Sequence, residues 1–214
     1  MSDAGTPRPS WTARMENSGS RPNNARSIVS RKFLGLEIKG NSKTKAIQSL
    51  VLAPKVHLTG LNEIRLSPHS SLTINGGTVV TRRWGDVSPN ATLQGTGSIN
   101  GTVYNGGSVM VPGGDESSLK VDGDYHQTGK ATLSLKIVES EKGAITVAGT
   151  AHLAGRLAIT VQNGFKPAAR EAFTVLSAQK IKGTFTNPDD SVTASDGSSF
   201  SIGYSDSAVI LTLK

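Results

Sequence analysis

Apolar and polar residues alternate along most of this chain, in short runs separated by Gly, Asn, Ser and Pro. A period of two sends successive side chains to opposite faces of a strand, so these runs predict short, half-buried β-strands. The first covers 33–38 and is followed by a polar turn over 39–45. Strands at 56–59, 63–66, 71–74 and 77–80 come next, each β-branched or Leu-rich and bounded by turn residues. Longer alternations occupy 118–127, 131–137, 144–153 and 156–161, and closing strands fall at 172–176, 183–186, 200–204 and 208–213. Only 44–52 and 166–172 tolerate a helix, and Pro167 interrupts the second.

Between 91 and 113 the pattern tightens into a Gly-x-aliphatic unit that recurs at Gly97, Gly101 and Gly107. Repetition of this kind marks a solenoid, in which a strand must turn a corner every few residues and stack on the strand below. Gly95, Gly97, Gly101, Gly107 and Gly123 are the expected corner residues, because glycine takes positive φ without a Cβ clash. The predicted fold is all-β: a parallel right-handed β-helix with a strand-rich C-terminal cap. The solenoid domain covers 33–214, with 117–214 as its longer-strand cap part.

Composition adds exclusions. No stretch of 18 apolar residues occurs, so no membrane-spanning helix is expected. The absence of cysteine removes disulfides, thiolate metal sites and a cysteine nucleophile. The net charge of +7 is unevenly placed. Residues 1–55 hold ten basic and three acidic side chains, a balance of +7, and residues 56–214 hold thirteen of each. Residues 1–32, rich in Ser, Asn, Pro, Gly and Arg, read as a disordered basic tail without the apolar core of a secretory signal. Weak, non-specific polyanion binding is expected there, and an organelle transit peptide is the alternative reading of the same segment.

Candidate chemistry is sparse. His57, His69, His126 and His152 are far apart in sequence, and none has a partner at metal-ligand spacing. The most suggestive group is Asp122, Asp124 and His126, since alternate residues of one strand share a face. Asp122 and Asp124 could then bind calcium or act as an acid/base pair. The competing account is that the solvent face of a strand is simply polar. The Gly-rich stretch lacks the Gly-Lys-Ser/Thr of a phosphate loop, and no cofactor is expected.

The order Leu93-x-Gly95-x-Gly97-x-Ile99-x-Gly101-x-Val103, then Leu119-x-Val121-x-Gly123-Asp124-Tyr125, then Ile145-x-Val147-x-Gly149-x-Ala151-x-Leu153-x-Gly155-x-Leu157, ending in Phe173-Thr174-Val175-Leu176, resembles the C-terminal rungs of autotransporter-associated β-helix repeat proteins. The resemblance covers about residues 91–213. It implies a right-handed β-helix, an extracellular or cell-surface location, and a passive display or adhesion role without catalytic residues. Arg170 departs from the pattern, standing where a glycine is usual. The expected function is therefore that of a non-enzymatic structural or adhesive β-solenoid, with a polysaccharide or a surface protein as partner. The alternatives are a polysaccharide-active β-helix enzyme and a virion-type structural protein with a basic nucleic-acid-binding arm.

Overall fold

The computed structural model describes residues 35–214 apart from 42, 55, 114–117, 139–140 and 143. The tail expected over 1–32 and the start of the strand expected at 33–38 lie outside the described residues.

The regular structure of the described chain is almost entirely strand. Its first half contains β1 (Leu36–Ile38), β2 (Gln48–Leu52), β3 (His57–Leu66), β4 (Ser70–Val87), β5 (Thr92–Asn105), β6 (Ser108–Val111), β7 (Ser118–Val121) and β8 (Tyr125–Gln127). The second half contains β9 (Thr132–Val138), β10 (Glu141–Lys142), β11 (Ala144–Leu153), β12 (Arg156–Val161), β13 (Ala172–Gly183), β14 (Ser191–Thr193), β15 (Ser199–Tyr204) and β16 (Ala208–Leu213). No α-helix occurs among the described residues, and a single 3-10 turn spans Pro188–Asp190.

Pairing makes this a parallel β-solenoid with three stacked faces. On the first face β1, the end of β3, the ends of β4 and β5, β8, the end of β11 and the end of β13 lie one above another. The second face stacks β2, the starts of β4 and β5, β6, β9 and β12. The third stacks the start of β3, the middle of β4 and β5, β7, the start of β11 and the middle of β13. Because the stacking is in register, each inward position becomes a column. Leu72, Leu93, Val109, Leu133 and Leu157 line the second face, and Val79, Ile99, Val121 and Val147 line the third, all buried. Burying each such side chain contributes about 1.5–3 kcal/mol, and no rung could bury its own without its neighbours.

The corner glycines have two physical reasons. Gly95 (φ +112°) and Gly97 (φ +120°) adopt backbone angles that L side chains rarely take, and a Cβ on either would collide with a carbonyl oxygen of the rung below, Ile74 or Gly77. Gly101 (φ +143°) lies against the Thr81 hydroxyl. Gly107 and Gly123 have no positive φ. A Cβ on Gly107 would sit 2.5 Å from the Ala91 carbonyl oxygen, and one on Gly123 2.8 Å from the Thr102 nitrogen. Close approach between rungs, not a left-handed angle, requires glycine at these two.

Three details differ from the sequence pattern. Residues 48–52, read as helix-tolerant, form strand β2 and pair with β4. Long strands are not confined to 117–214, since β4 and β5 run continuously around corners. Parallel stacking also continues well past 117, through β13 on β11; apart from the short β9–β10 hairpin, antiparallel pairing is found in β13 on β16, β16 on β15 and β15 on β14.

This antiparallel layer closes the C-terminal end of the stack. Over the second face, the Asn187 side-chain amide accepts from Leu157 N–H at 2.9 Å and donates to Leu157 C=O at 2.9 Å, imitating a strand. Over the last parallel strand, Ala178 and Ile181 donate to the Ser207 and Asp206 carbonyls at 2.9 and 2.7 Å. Phe173, buried, packs edge-on against Phe200 in the same layer. Arg170, at φ +64°, occupies the left-handed turn entering β13.

Candidate functional site

The first face carries an ordered row of polar and aromatic side chains on its outside. In register, Arg65 neighbours Asp86, Asp86 neighbours Tyr104, Tyr104 neighbours His126, His126 neighbours His152, and His152 neighbours Lys182. The rings form a continuous stack. Tyr104 and His126 have centroids 4.7 Å apart at 12°, and His126 and His152 have centroids 4.3 Å apart at 9°. These separations follow the ≈ 4.7–4.9 Å spacing of adjacent strands, so the rung geometry itself sets the stack. Tyr104 is 43% exposed and the two histidines are half-buried.

The row is held from inside by a buried polar cluster. Asn105 and Tyr125 are 0% exposed and Gln127 is 5% exposed, one position to either side of the stacked rings. Asn105 Nδ2 donates to Tyr125 Oη at 3.0 Å, and Tyr125 Oη donates to Gln127 Oε1 at 2.8 Å. Gln127 Nε2 donates to the Ala154 carbonyl at 2.8 Å, and Asn105 Oδ1 accepts from Gly107 N–H at 3.1 Å. Burial pushes the Tyr125 phenol well above its ordinary value, partly countered by Asn105, so it stays a neutral donor. A buried polar network with its groups paired rigidifies the corner between the first and second faces.

Asp122 and Asp124 are not paired on one strand. The chain bends at Asp122 and Gly123, ending β7 before β8 begins, which leaves Asp122 exposed at the close of the third face. Asp124 opens the first face, half-buried, and its Oδ1 accepts from Thr150 N–H of the next rung at 2.7 Å. It staples two rungs at a corner. Among the described residues no group of three or more His, Cys, Asp or Glu gathers where a metal could sit.

The four histidines, separate in sequence, have different fates. His126 and His152 are brought into contact. His69, at φ +61°, is a corner residue whose N–H donates to the Asn90 carbonyl at 2.9 Å, and His57 lies on the third face beside Thr78. Burial lowers the His126 imidazole below its ordinary value, His152 lowers it further, and Asp124 acts in the opposite direction. The signal for the stack is present in the sequence once corners are aligned. Gly101, Gly123 and Gly149 each stand three residues before a ring, Tyr104, His126 and His152.

A concavity of about 480 Å³ lies on the second face, bordered by Thr73, Asn75, Gln94, Met110, Ser134 and Lys136. Its lining has Lys136 as its one ionisable side chain and no carboxylate. That composition supplies no acid/base pair for glycoside cleavage, which ordinarily uses two carboxyl groups.

Compared with known protein families, curated proteins and solved structures, the chain gives no match.

Proposed function

We propose that this chain is a non-enzymatic display module that docks the first face of its solenoid onto a polysaccharide, in the manner of an adhesive surface or secreted β-helix. The observation that carries the reading is the Tyr104–His126–His152 stack. Rings stacked face to face turn their edges outward, so what meets solvent is a row of donors and acceptors, a phenolic hydroxyl and imidazole nitrogens. A row repeating at strand spacing along stacked, in-register strands suits an extended polymer with recurring hydroxyl groups. It does not suit a compact metabolite, which needs a pocket enclosing most of its surface. The resemblance of residues 91–213 to autotransporter-associated β-helix repeats supports the same reading.

Affinity electrophoresis through gels containing soluble polysaccharides tests it. The Tyr104→Ala/His152→Ala variant should bind roughly tenfold more weakly than the parent, from the loss of hydrogen bonds contributing about 0.5–1.5 kcal/mol each, with its melting temperature little changed. Retention of full binding by this variant would overturn the assignment of the face.

A further inference from the structure

The first face is electrically uneven along the solenoid axis. Toward the N-terminal end Arg65 is paired, its Nε 3.3 Å from Asp86 Oδ2, and the Glu37 carboxylate accepts from the neutral Ser67 hydroxyl. Toward the C-terminal end the ring stack runs into exposed lysines. His152 neighbours Lys182, and Thr150, the next outward position, neighbours Lys180.

Resting on the polysaccharide reading, we propose that the C-terminal half of this face, Tyr104, His126, His152, Lys180 and Lys182, is a binding site for an acidic polysaccharide that engages as the pH falls.

The charges facing the two imidazoles can be taken strand by strand. β5 contributes Thr102 and Tyr104, both uncharged at neutral pH; the corner before β8 contributes Asp124, and β11 contributes Thr150. β13 contributes Lys180 and Lys182, and the loop covering it contributes the Asp206 backbone carbonyl, which accepts from Ile181 N–H at 2.7 Å. With neutral imidazoles, Lys180, Lys182 and Asp124 leave the side chains flanking the rings at +1. Protonation of both histidines makes the balance +3.

The stack also explains why an anion is the ligand that completes the site. Imidazoles 4.3 Å apart repel once both are charged. Carboxylates or sulfates along a glycan, laid over the ring edges, offset that repulsion. Ligand binding and proton uptake then favour each other by the same factor. The basic N-terminal segment cannot produce this effect, because residues 1–55 contain no histidine and their side-chain charge is constant across the relevant range.

The test uses the full chain with dextran sulfate, whose charge does not change with pH, and uncharged dextran of equal length. Affinities are compared at fixed ionic strength at about pH 7.5 and about pH 5. Dextran sulfate should bind roughly tenfold more tightly at the lower pH, as expected for two added ion pairs at half-buried imidazoles. His126→Gln/His152→Gln should abolish the increment and His57→Gln should keep it. Lys180→Gln/Lys182→Gln, which alters only exposed side chains, should weaken acidic binding roughly fivefold and guards against a folding defect in the histidine variant.

An increment that is absent, or that survives in the histidine variant, overturns the inference. Equal binding of uncharged dextran overturns the acidic specificity but leaves the polysaccharide reading standing. Binding of neither polymer at either pH overturns both. A single-stranded oligonucleotide that binds more tightly than dextran sulfate, with the same increment, reassigns the face to nucleic acid and overturns the glycan class.

Discussion

Replacing Gly95 by alanine should be among the most damaging single-methyl changes available to this protein, and Gly60 supplies the control that shows why. Both residues have positive φ, +112° at Gly95 and +81° at Gly60, so a Cβ at either carries a backbone cost of about 1–2 kcal/mol. Their surroundings differ. At Gly60 a Cβ meets nothing within 4 Å. At Gly95 it collides with the carbonyl oxygen of Ile74, its register partner one rung below, and lies 2.9 Å from that carbonyl carbon. The obstacle is backbone in a fully buried rung and cannot swing aside, so the two rungs must separate. Overpacking of this sort adds about 1–3 kcal/mol. Gly60→Ala should therefore cost about 1–2 kcal/mol and Gly95→Ala about 2–5 kcal/mol, a large part of a typical 5–15 kcal/mol total. Urea denaturation followed by far-UV circular dichroism measures both from the midpoint shift at constant slope. Equal shifts would refute the reasoning, because they would mean that rung-to-rung contact adds nothing beyond the backbone angle.

Two further outcomes are expected. Arg170→Gly should stabilise the protein by about 0.5–1 kcal/mol, since it relieves a left-handed arginine at φ +64° at the lesser entropic cost of glycine; a lower melting temperature would contradict this. Asn105→Ala should destabilise by about 2–4 kcal/mol by stranding the Gly107 N–H, removing the donor to Tyr125 Oη and leaving a cavity, whereas Tyr125→Phe should cost only about 1–2 kcal/mol; thermal melts that rank the pair in reverse would show that the buried cluster is not cooperative.

Strands were legible where one face is buried, because burial enforces alternation. β2 was not, since Val51 points to solvent beside inward-facing Leu50 and Leu52, and an apolar triplet matches a helix as well as a strand. The corner glycines were legible as special positions, though the reason at Gly107 and Gly123 lies in the neighbouring rung and cannot be seen locally. The paired-acid reading of Asp122 and Asp124 assumed an unbroken strand, and Gly123 is where the strand breaks. The ring stack joins residues 22 and 26 positions apart, at 104, 126 and 152. Only the superposition of rungs reveals such a column, because unequal loops between them destroy any fixed period. Charge balance over 56–214 likewise concealed a local asymmetry, since folding sorts Lys180, Lys182 and the two histidines onto one end of one face.

The in-register stack also bears on how such a molecule can change over generations. Each rung asks only that the rung beneath offer the same three edges, so a duplicated stretch from one corner to the next, such as 101 to 123, would slot between existing rungs without disturbing the antiparallel lid. Every such duplication would lengthen the outer row by one more position at the same spacing. For a polymer ligand, reach then grows by copying, and avidity rises with chain length without any new contact having to be invented.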